Sequence, residues 1–479
     1  MSGIPGLLTS LFLPGLLGYA WLHLLWRPAH LAAKFGYGYL LGSMALAVVL
    51  LGWNAIGLTL DFFPIAMTLL FLAFIPFLIH PFQPQFKNND YSSNASPWQT
   101  WIWWFFLVIL ILRFGGLLLE DLWRPLYPWD AWMNWAPKAK VWFGLEELVP
   151  FVHYSQWPAR SLDIRAYSLG NPDASLYPPH IPLVQLWIAL GTGEWRDNWI
   201  NLPWVLCAVA LALAFYGQLR ILRIAPFSSM LATYLLLSIP YLNTHVALGG
   251  YADLWVATFY CAAVMSLIGW ASTRSRVQLL LVILMGIGCI LIKKPGLVWA
   301  LTLVPGLFIS IIPVRLGYLM LLFLAIVLGV LIATHGVTLT LVDSPPFIFS
   351  ADMIQIPGLG VFPIAYHSSF RFFIDNILVR DNWHLLGWLV TFIFFTVVFF
   401  LKKKRSLFPS LITLLIGILF IFFVFSFTQH YQAAADSTTI NRATFHLLPA
   451  LFYFSLVAVL FVQTQASPTA DKASIAGLS

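Results

Sequence analysis

Apolar residues run along this chain in stretches of about 20 positions, separated by short polar intervals rich in Pro, Gly and basic residues. A stretch of that length crosses a hydrocarbon core of roughly 30 Å as an α-helix and satisfies its backbone hydrogen bonds internally. Read with a window of about 19 residues, the pattern predicts helices near 4–25, 37–57, 62–82, 100–119, 181–193, 198–218, 228–246, 252–272, 277–292, 296–313, 316–336, 384–401, 407–428 and 443–463. The expectation is an all-α integral membrane protein, a polytopic bundle of about 13–14 transmembrane helices. A transmembrane barrel would show short alternating segments instead.

Composition agrees, since 60% of the 479 residues are hydrophobic, only 9% are charged and the mean hydropathy is +0.86. A net charge of +7 raises nucleic acid as a partner, but the bases stand at the ends of apolar runs, as membrane orientation and anchoring require. Nucleic acid is therefore set aside, and membrane lipids are the expected surroundings. Cys207, Cys261 and Cys289 lie inside apolar runs, where they act as small hydrophobes and not as a disulfide framework. No basic residue precedes the first run and no small-residue cleavage site follows it, so it is expected to be a retained helix. The 22 tryptophans and 17 tyrosines gather near run ends, where their rings prefer the headgroup level.

Short basic loops orient the bundle. Arg27 with Lys34, Arg220 with Arg223, Arg274 with Arg276, and Lys402-Lys403-Lys404-Arg405 are expected on the cytoplasmic side. That places 120–180, 338–383 and 429–441 outside and the polar tail 466–479 inside. A single crossing at 181–193 would reverse the parity, so this short run between Pro178-Pro179 and Gly193 reads as re-entrant or partly embedded. In the first outer loop, 130–145 reads as an interfacial amphipathic helix with Trp132, Trp135, Ala139 and Trp142 toward one side and Asn134, Lys138 and Lys140 elsewhere. Phe370 to Val379 is a second such piece.

Polar residues on the outer side carry the candidate chemistry. Tyr127-Pro128-Trp129-Asp130-Ala131-Trp132 opens the largest polar-rich interval directly after an apolar run. Asp130, bracketed by tryptophans at the water boundary, suits a general base; Asp is also a good N-cap, and the two roles are compatible. Glu120 and Asp121 end the preceding helix as a pair that either marks the boundary or supplies a second carboxylate, with Asp130 a possible Mg²⁺ or Mn²⁺ site. Asp253, in Gly249-Gly250-Tyr251-Ala252-Asp253-Leu254, starts a helix; an acid at membrane depth costs roughly 2.5–3.5 kcal/mol and points to function, an N-cap being the plainer reading. His245 faces the same side. Lys293 and Lys294 stand outside against the orientation rule, which suits an anionic ligand, although lysines also snorkel. Arg442 and His446, four apart at the start of the last helix, make a phosphate cradle beside a helix N-terminus. Tyr177-Pro178-Pro179-His180 adds an imidazole. No P-loop, dinucleotide fingerprint, zinc spacing or serine elbow is present.

The order of Pro128-Trp129-Asp130, Tyr177-Pro178-Pro179-His180, Gly250-Tyr251-Ala252-Asp253-Leu254, Lys293-Lys294-Pro295-Gly296 and Asn441-Arg442-Ala443-Thr444-Phe445-His446-Leu447-Leu448-Pro449 resembles that of the GT-C membrane glycosyltransferases. The nearest likeness is to the branch of dolichyl-phosphate-mannose protein mannosyltransferases and lipid A aminoarabinose transferases. It spans roughly 100–465, which leaves 1–99 as additional N-terminal helices and 466–479 as a cytoplasmic tail. The resemblance implies sugar transfer from a polyprenyl-phosphate donor to a lipid, glycan or protein acceptor on the outer side of a membrane, here a bacterial inner membrane. Asp130 matches the family's base, and Lys293, Lys294, Arg442 and His446 are then its contacts to the donor phosphate. The family often has Asp-Glu at the base; Ala131 follows Asp130 here, which leaves Asp253, Glu120, Asp121 or Asp173 as the second acid. Pro295 stands where the family's lysine loop often has an acid, so the choice between Lys293 and Lys294 stays open. The rival from another class is a transporter or flippase for a lipid-linked sugar, which needs broken helices and related halves.

Overall fold

The computed structural model describes residues 3–79, 96–157, 165–312, 314–340, 346–357, 360–400 and 405–466. The first helices are α1 (Ile4–Leu25), α2 (Leu31–Ala55), α3 (Phe62–Ile79) and α4 (Pro97–Trp123). One turn of π-helix (Ala131–Trp135) runs into α5 (Ala136–Leu145). There follow α6 (His180–Thr192), α7 (Pro203–Ile221), α8 (Pro226–Leu237), α9 (Pro240–Ala247), α10 (Asp253–Thr273), α11 (Arg276–Ile292), α12 (Pro295–Ile311) and α13 (Val314–Thr334). After a small sheet come α14 (Phe370–Ile374), α15 (Leu385–Phe400), α16 (Phe408–Phe427), α17 (Tyr431–Ala435) and α18 (Ile440–Ala466). Proline begins α4, α7, α8, α9 and α12, where the first turn has no use for an amide donor and the ring presets φ.

Among the described residues nine helices are long and apolar enough to cross a membrane: α1 to α4, α7, α10, α13, α16 and α18. Five shorter apolar helices, α6, α8, α11, α12 and α15, join them. The run expected at 228–246 is broken, because Pro240 has no amide proton and starts a separate helix after Ile239. The segment 338–383, expected as an outer loop, carries strands that the apolar pattern does not reveal: β1 (Val337–Leu339), β2 (Phe347–Phe349), β3 (Met353–Ile356) and β4 (Gly360–Pro363). They form an antiparallel meander, with Ile354 opposite both Phe349 and Phe362. Strands this short leave too few positions for alternation to register. The basic run at 402–404 and the tail from 467 lie outside the described residues.

α10 is the axis of the bundle, buried on every side from Asp253 to Gly269 and packed against α7, α11 and α18. α1 and α2 cross closely because Gly42 faces the Pro14 carbonyl with no room for a side chain. α2 packs in turn along α7. Tyr37 of α2 donates its hydroxyl to the Ala262 carbonyl at 2.8 Å and accepts from Gln218 and Ser266, each at 2.9 Å. Gln218 and Gln278 exchange amide hydrogen bonds at 3.1 Å, which completes a polar lock between α2, α7, α10 and α11.

The antiparallel pair α10 and α11 fixes what lies at each end of the bundle. Arg274 and Arg276 mark one end, at the close of α10 and the start of α11. Asp253, which opens α10, and Lys293, which ends α11, mark the other. The segment 130–145 is more enclosed than an interfacial helix: α5 packs on α6, and Asn134, Trp135, Lys138, Ala139 and Trp142 are all buried, while Trp132 is exposed. α6 is buried along its whole length, so protein covers this short run, as a partly embedded helix requires.

Candidate functional site

Four helix ends deliver charge to one place. Asp130 precedes the π-turn, Asp253 is the first residue of α10, Lys293 follows the last residue of α11, and Arg442 lies in the first turn of α18. Arg442 forks between the two acids: its Nε donates to Asp253 Oδ2 at 2.7 Å, and Nη2 makes a close ion pair with Asp130 Oδ2. Lys293 Nζ stands 3.2 Å from Asp253 Oδ1 and 3.8 Å from Asp130 Oδ2. Asp130 makes no side-chain cap hydrogen bond to its helix, so its carboxylate is committed to this cluster.

The set is balanced and graded in depth. Two carboxylates meet one guanidinium and one ammonium, so the group is neutral without the imidazole. Side-chain exposure rises from 0% at Asp253 through 6% at Asp130 and 11% at Lys293 to 22% at Arg442. Asp253 is thus the buried anchor, and Arg442 presents the most accessible face. Tyr251 lies beneath that guanidinium, with its ring centroid 5.3 Å away.

His446 is held from both sides. Its Nδ1 accepts from the Trp299 indole at 2.9 Å, and its Nε2 lies 2.8 Å from Asp253 Oδ1. An indole N–H can only donate, so Nδ1 carries no proton and Nε2–H donates to Asp253. His446 is the neutral tautomer and turns toward the anchor acid, adding no charge to the cluster. Trp299, in the first turns of α12, carries no signal in sequence that separates it from the many interfacial tryptophans.

The turn before Asp253 is fixed by several elements. Asn201 Nδ2 donates to the Gly249 carbonyl at 2.9 Å, Gln185 donates to Asn201 at 2.9 Å, and the Trp204 indole donates to the Tyr251 carbonyl at 2.7 Å. Asp121 accepts the Gly249 amide, while its other oxygen has no partner among the described residues. Gly250, at φ 113°, faces Ala131 with no room for a side chain. This contact sets the turn that leads to Asp253 directly against the residue after Asp130.

The other candidates stay apart from the cluster. Lys294 lies over the Tyr177 ring at 5.2 Å and near Asp173, which sits in the short 3₁₀ turn Pro172–Leu176. Glu120 is an exposed ion pair with Arg124 at 3.1 Å. His180 packs edge-on against Trp255 and Phe259, and neither ring nitrogen has a partner among the described residues. His245 binds the Tyr241 carbonyl through Nδ1 at 2.9 Å and packs against Tyr251 and Phe445; burial lowers its imidazole to about 4. Lys138 donates to the carbonyls of Ala174 at 2.7 Å and Ser175 at 3.2 Å, pinning the segment that carries Tyr177. Burial, with repulsion from Lys294, lowers that ammonium to about 8. Comparison with known proteins finds no matching family model, no matching curated protein and no matching solved structure.

Proposed function

We propose that the protein is a membrane glycosyltransferase of the GT-C type, moving a sugar from a polyprenyl-phosphate donor to an acceptor hydroxyl of a lipid, glycan or protein. One observation carries the reading. Asp130, Asp253, Lys293, Arg442 and His446, drawn from four distant stretches of sequence, meet at one end of a helical bundle in a charge-balanced group with its cations on the accessible side. Under the positive-inside rule, the opposite end, with Arg274 and Arg276, is cytoplasmic, so transfer takes place on the outer face of a bacterial inner membrane.

In this reading the donor phosphate enters beside Arg442 and Lys293 and competes with Asp130 for their charge. Asp253 keeps its own contacts and holds both cations in position, with the Nε2–H of His446 fixing its second oxygen. Released from Arg442, Asp130 accepts the proton of the acceptor hydroxyl as that oxygen attacks the anomeric carbon. The bond from the anomeric carbon to the phosphate oxygen breaks, its electron pair stays on the phosphate, and Arg442 and Lys293 stabilise the departing polyprenyl phosphate. A single displacement inverts the anomeric centre.

Asp130 and Asp253 are already matched one for one by Arg442 and Lys293. A divalent ion would add two charges to a balanced set, so these residues do not fit Mg²⁺ or Mn²⁺, and no step here uses one. Purified protein in liposomes, supplied with radiolabelled polyprenyl-phosphate sugars, is expected to release polyprenyl phosphate and label an acceptor fraction. Carrier binding with no transfer to any acceptor fraction would replace this reading with the flippase.

A further inference from the structure

Arg113 is the sole charge of α4 between Pro97 and Leu119. It lies on the inward stripe of that helix, three residues after buried Leu110 and four before buried Leu117, and faces the break between α8 and α9. Its Nε donates to Asn243 Oδ1 at 2.7 Å. Asn243 is itself committed to the break, where its Nδ2 donates to the carbonyls of Leu237 at 2.9 Å and Ile239 at 2.6 Å. One of the five guanidinium donors is thus spent on a neutral amide, and no carboxylate among the described residues forms an ion pair with it.

The surroundings leave room for a ligand. A methyl group added at Gly116, three residues on from Arg113 and one turn along the same side of α4, would meet nothing within 4 Å, so open space borders the helix there. α4 is apolar enough to span a membrane and mostly faces outward from the bundle. An uncompensated guanidinium there is costly, and the anions that reach a membrane-facing groove are lipid phosphates.

We infer that Arg113 and Asn243 form a binding site for the phosphate group of a membrane lipid, in the groove between α4 and the break that separates α8 from α9. The site is distinct from the Arg442 cluster because α9 stands between them. Asn243 faces α4, whereas Tyr241 and His245 of the same helix pack against Phe445, one turn from Arg442. A lipid phosphate held by the fork of Arg113 therefore sits on the membrane side of α9, beside the wall of the cluster. A polyprenyl phosphate and a glycerophospholipid both carry this chemistry.

Native mass spectrometry of the full-length protein tests the site, with micelles doped separately with a polyprenyl phosphate, phosphatidylglycerol or polyprenyl alcohol. Wild type is expected to retain a phosphate lipid and not the alcohol, and the phosphate lipid it prefers identifies the source. Arg113→Gln, which keeps a donor for Asn243, should bind that lipid about tenfold more weakly or worse, and Arg113→Lys should stay within about threefold of wild type. Gly116→Leu fills the open space without touching the guanidinium, and it should weaken binding in a protein that melts normally. It decides the matter if Arg113→Gln fails to fold. Wild-type binding by folded Arg113→Gln, or by Gly116→Leu, would overturn the inference. Arg442→Gln should keep the Arg113 adduct, so a failure of the transferase reading leaves this result separate.

Discussion

Replacing Asp253 with Asn removes the deepest charge of the cluster while keeping the shape of its side chain. Wild type holds two acids against two cations, with Asp253 2.7 Å from Arg442 Nε and 3.2 Å from Lys293 Nζ. The variant leaves Lys293 and Arg442 over Asp130 alone, a buried excess of one positive charge. Removing one partner of a buried pair costs about 3–5 kcal/mol, a large share of a total stability of about 5–15 kcal/mol. Lys293→Met leaves the opposite excess and should cost a comparable amount. The double variant returns the cluster to one acid and one guanidinium, so it should be less destabilised than the sum of the singles by about 1–3 kcal/mol. Equilibrium unfolding of the four proteins in one detergent measures that difference. Additivity within about 0.5 kcal/mol would refute the charge-balance reasoning.

Three further outcomes follow from the same geometry. Trp299→Phe removes the indole donor to His446 Nδ1 and lets the ring take a second proton, so the pH profile of transfer should gain an acid limb; an unchanged profile would contradict the tautomer assignment. His245 is held near pKa 4 by burial, below its ordinary 6.5, so the unfolded chain binds the proton first and stability is lost as pH falls from 6.5 toward 4. That loss reaches up to about 3 kcal/mol, and His245→Gln should flatten the melting temperature across this window. Gly250→Ala forces a side chain into Ala131 at a positive φ, which should cost at least about 1–3 kcal/mol and lower transfer; a stable, fully active variant would dissociate that turn from Asp130.

Much of the helical framework is legible in sequence because a membrane span must be long and apolar regardless of its neighbours. The runs at 4–25, 252–272 and 277–292 return almost unchanged as α1, α10 and α11. The break at Pro240 has a local cause that an apolar window averages away. The strands at 337–363 are too short to announce themselves by alternation. Within the site, Asp130, Asp253, Lys293, Arg442 and His446 stand out individually as polar residues at the ends of apolar runs. Their pairing does not, because which acid meets which cation depends on how α10, α11 and α18 pack. The burial of Lys138 and the contact from Trp299 to His446 are equally tertiary. An interfacial pattern cannot tell a lysine in water from one donating to three nearby carbonyls.

Sugar transfer by Asp130→Asn beside wild type, from a polyprenyl-phosphate donor in liposomes, tests the central claim most directly. On the proposed mechanism, the substitution would leave Arg442 and Lys293 to hold the phosphate and remove the base. Transfer should fall by about 10²–10⁴-fold while binding of the donor is retained or strengthened. Wild-type transfer by Asp130→Asn, or loss of donor binding together with transfer in a protein that remains folded, would contradict it.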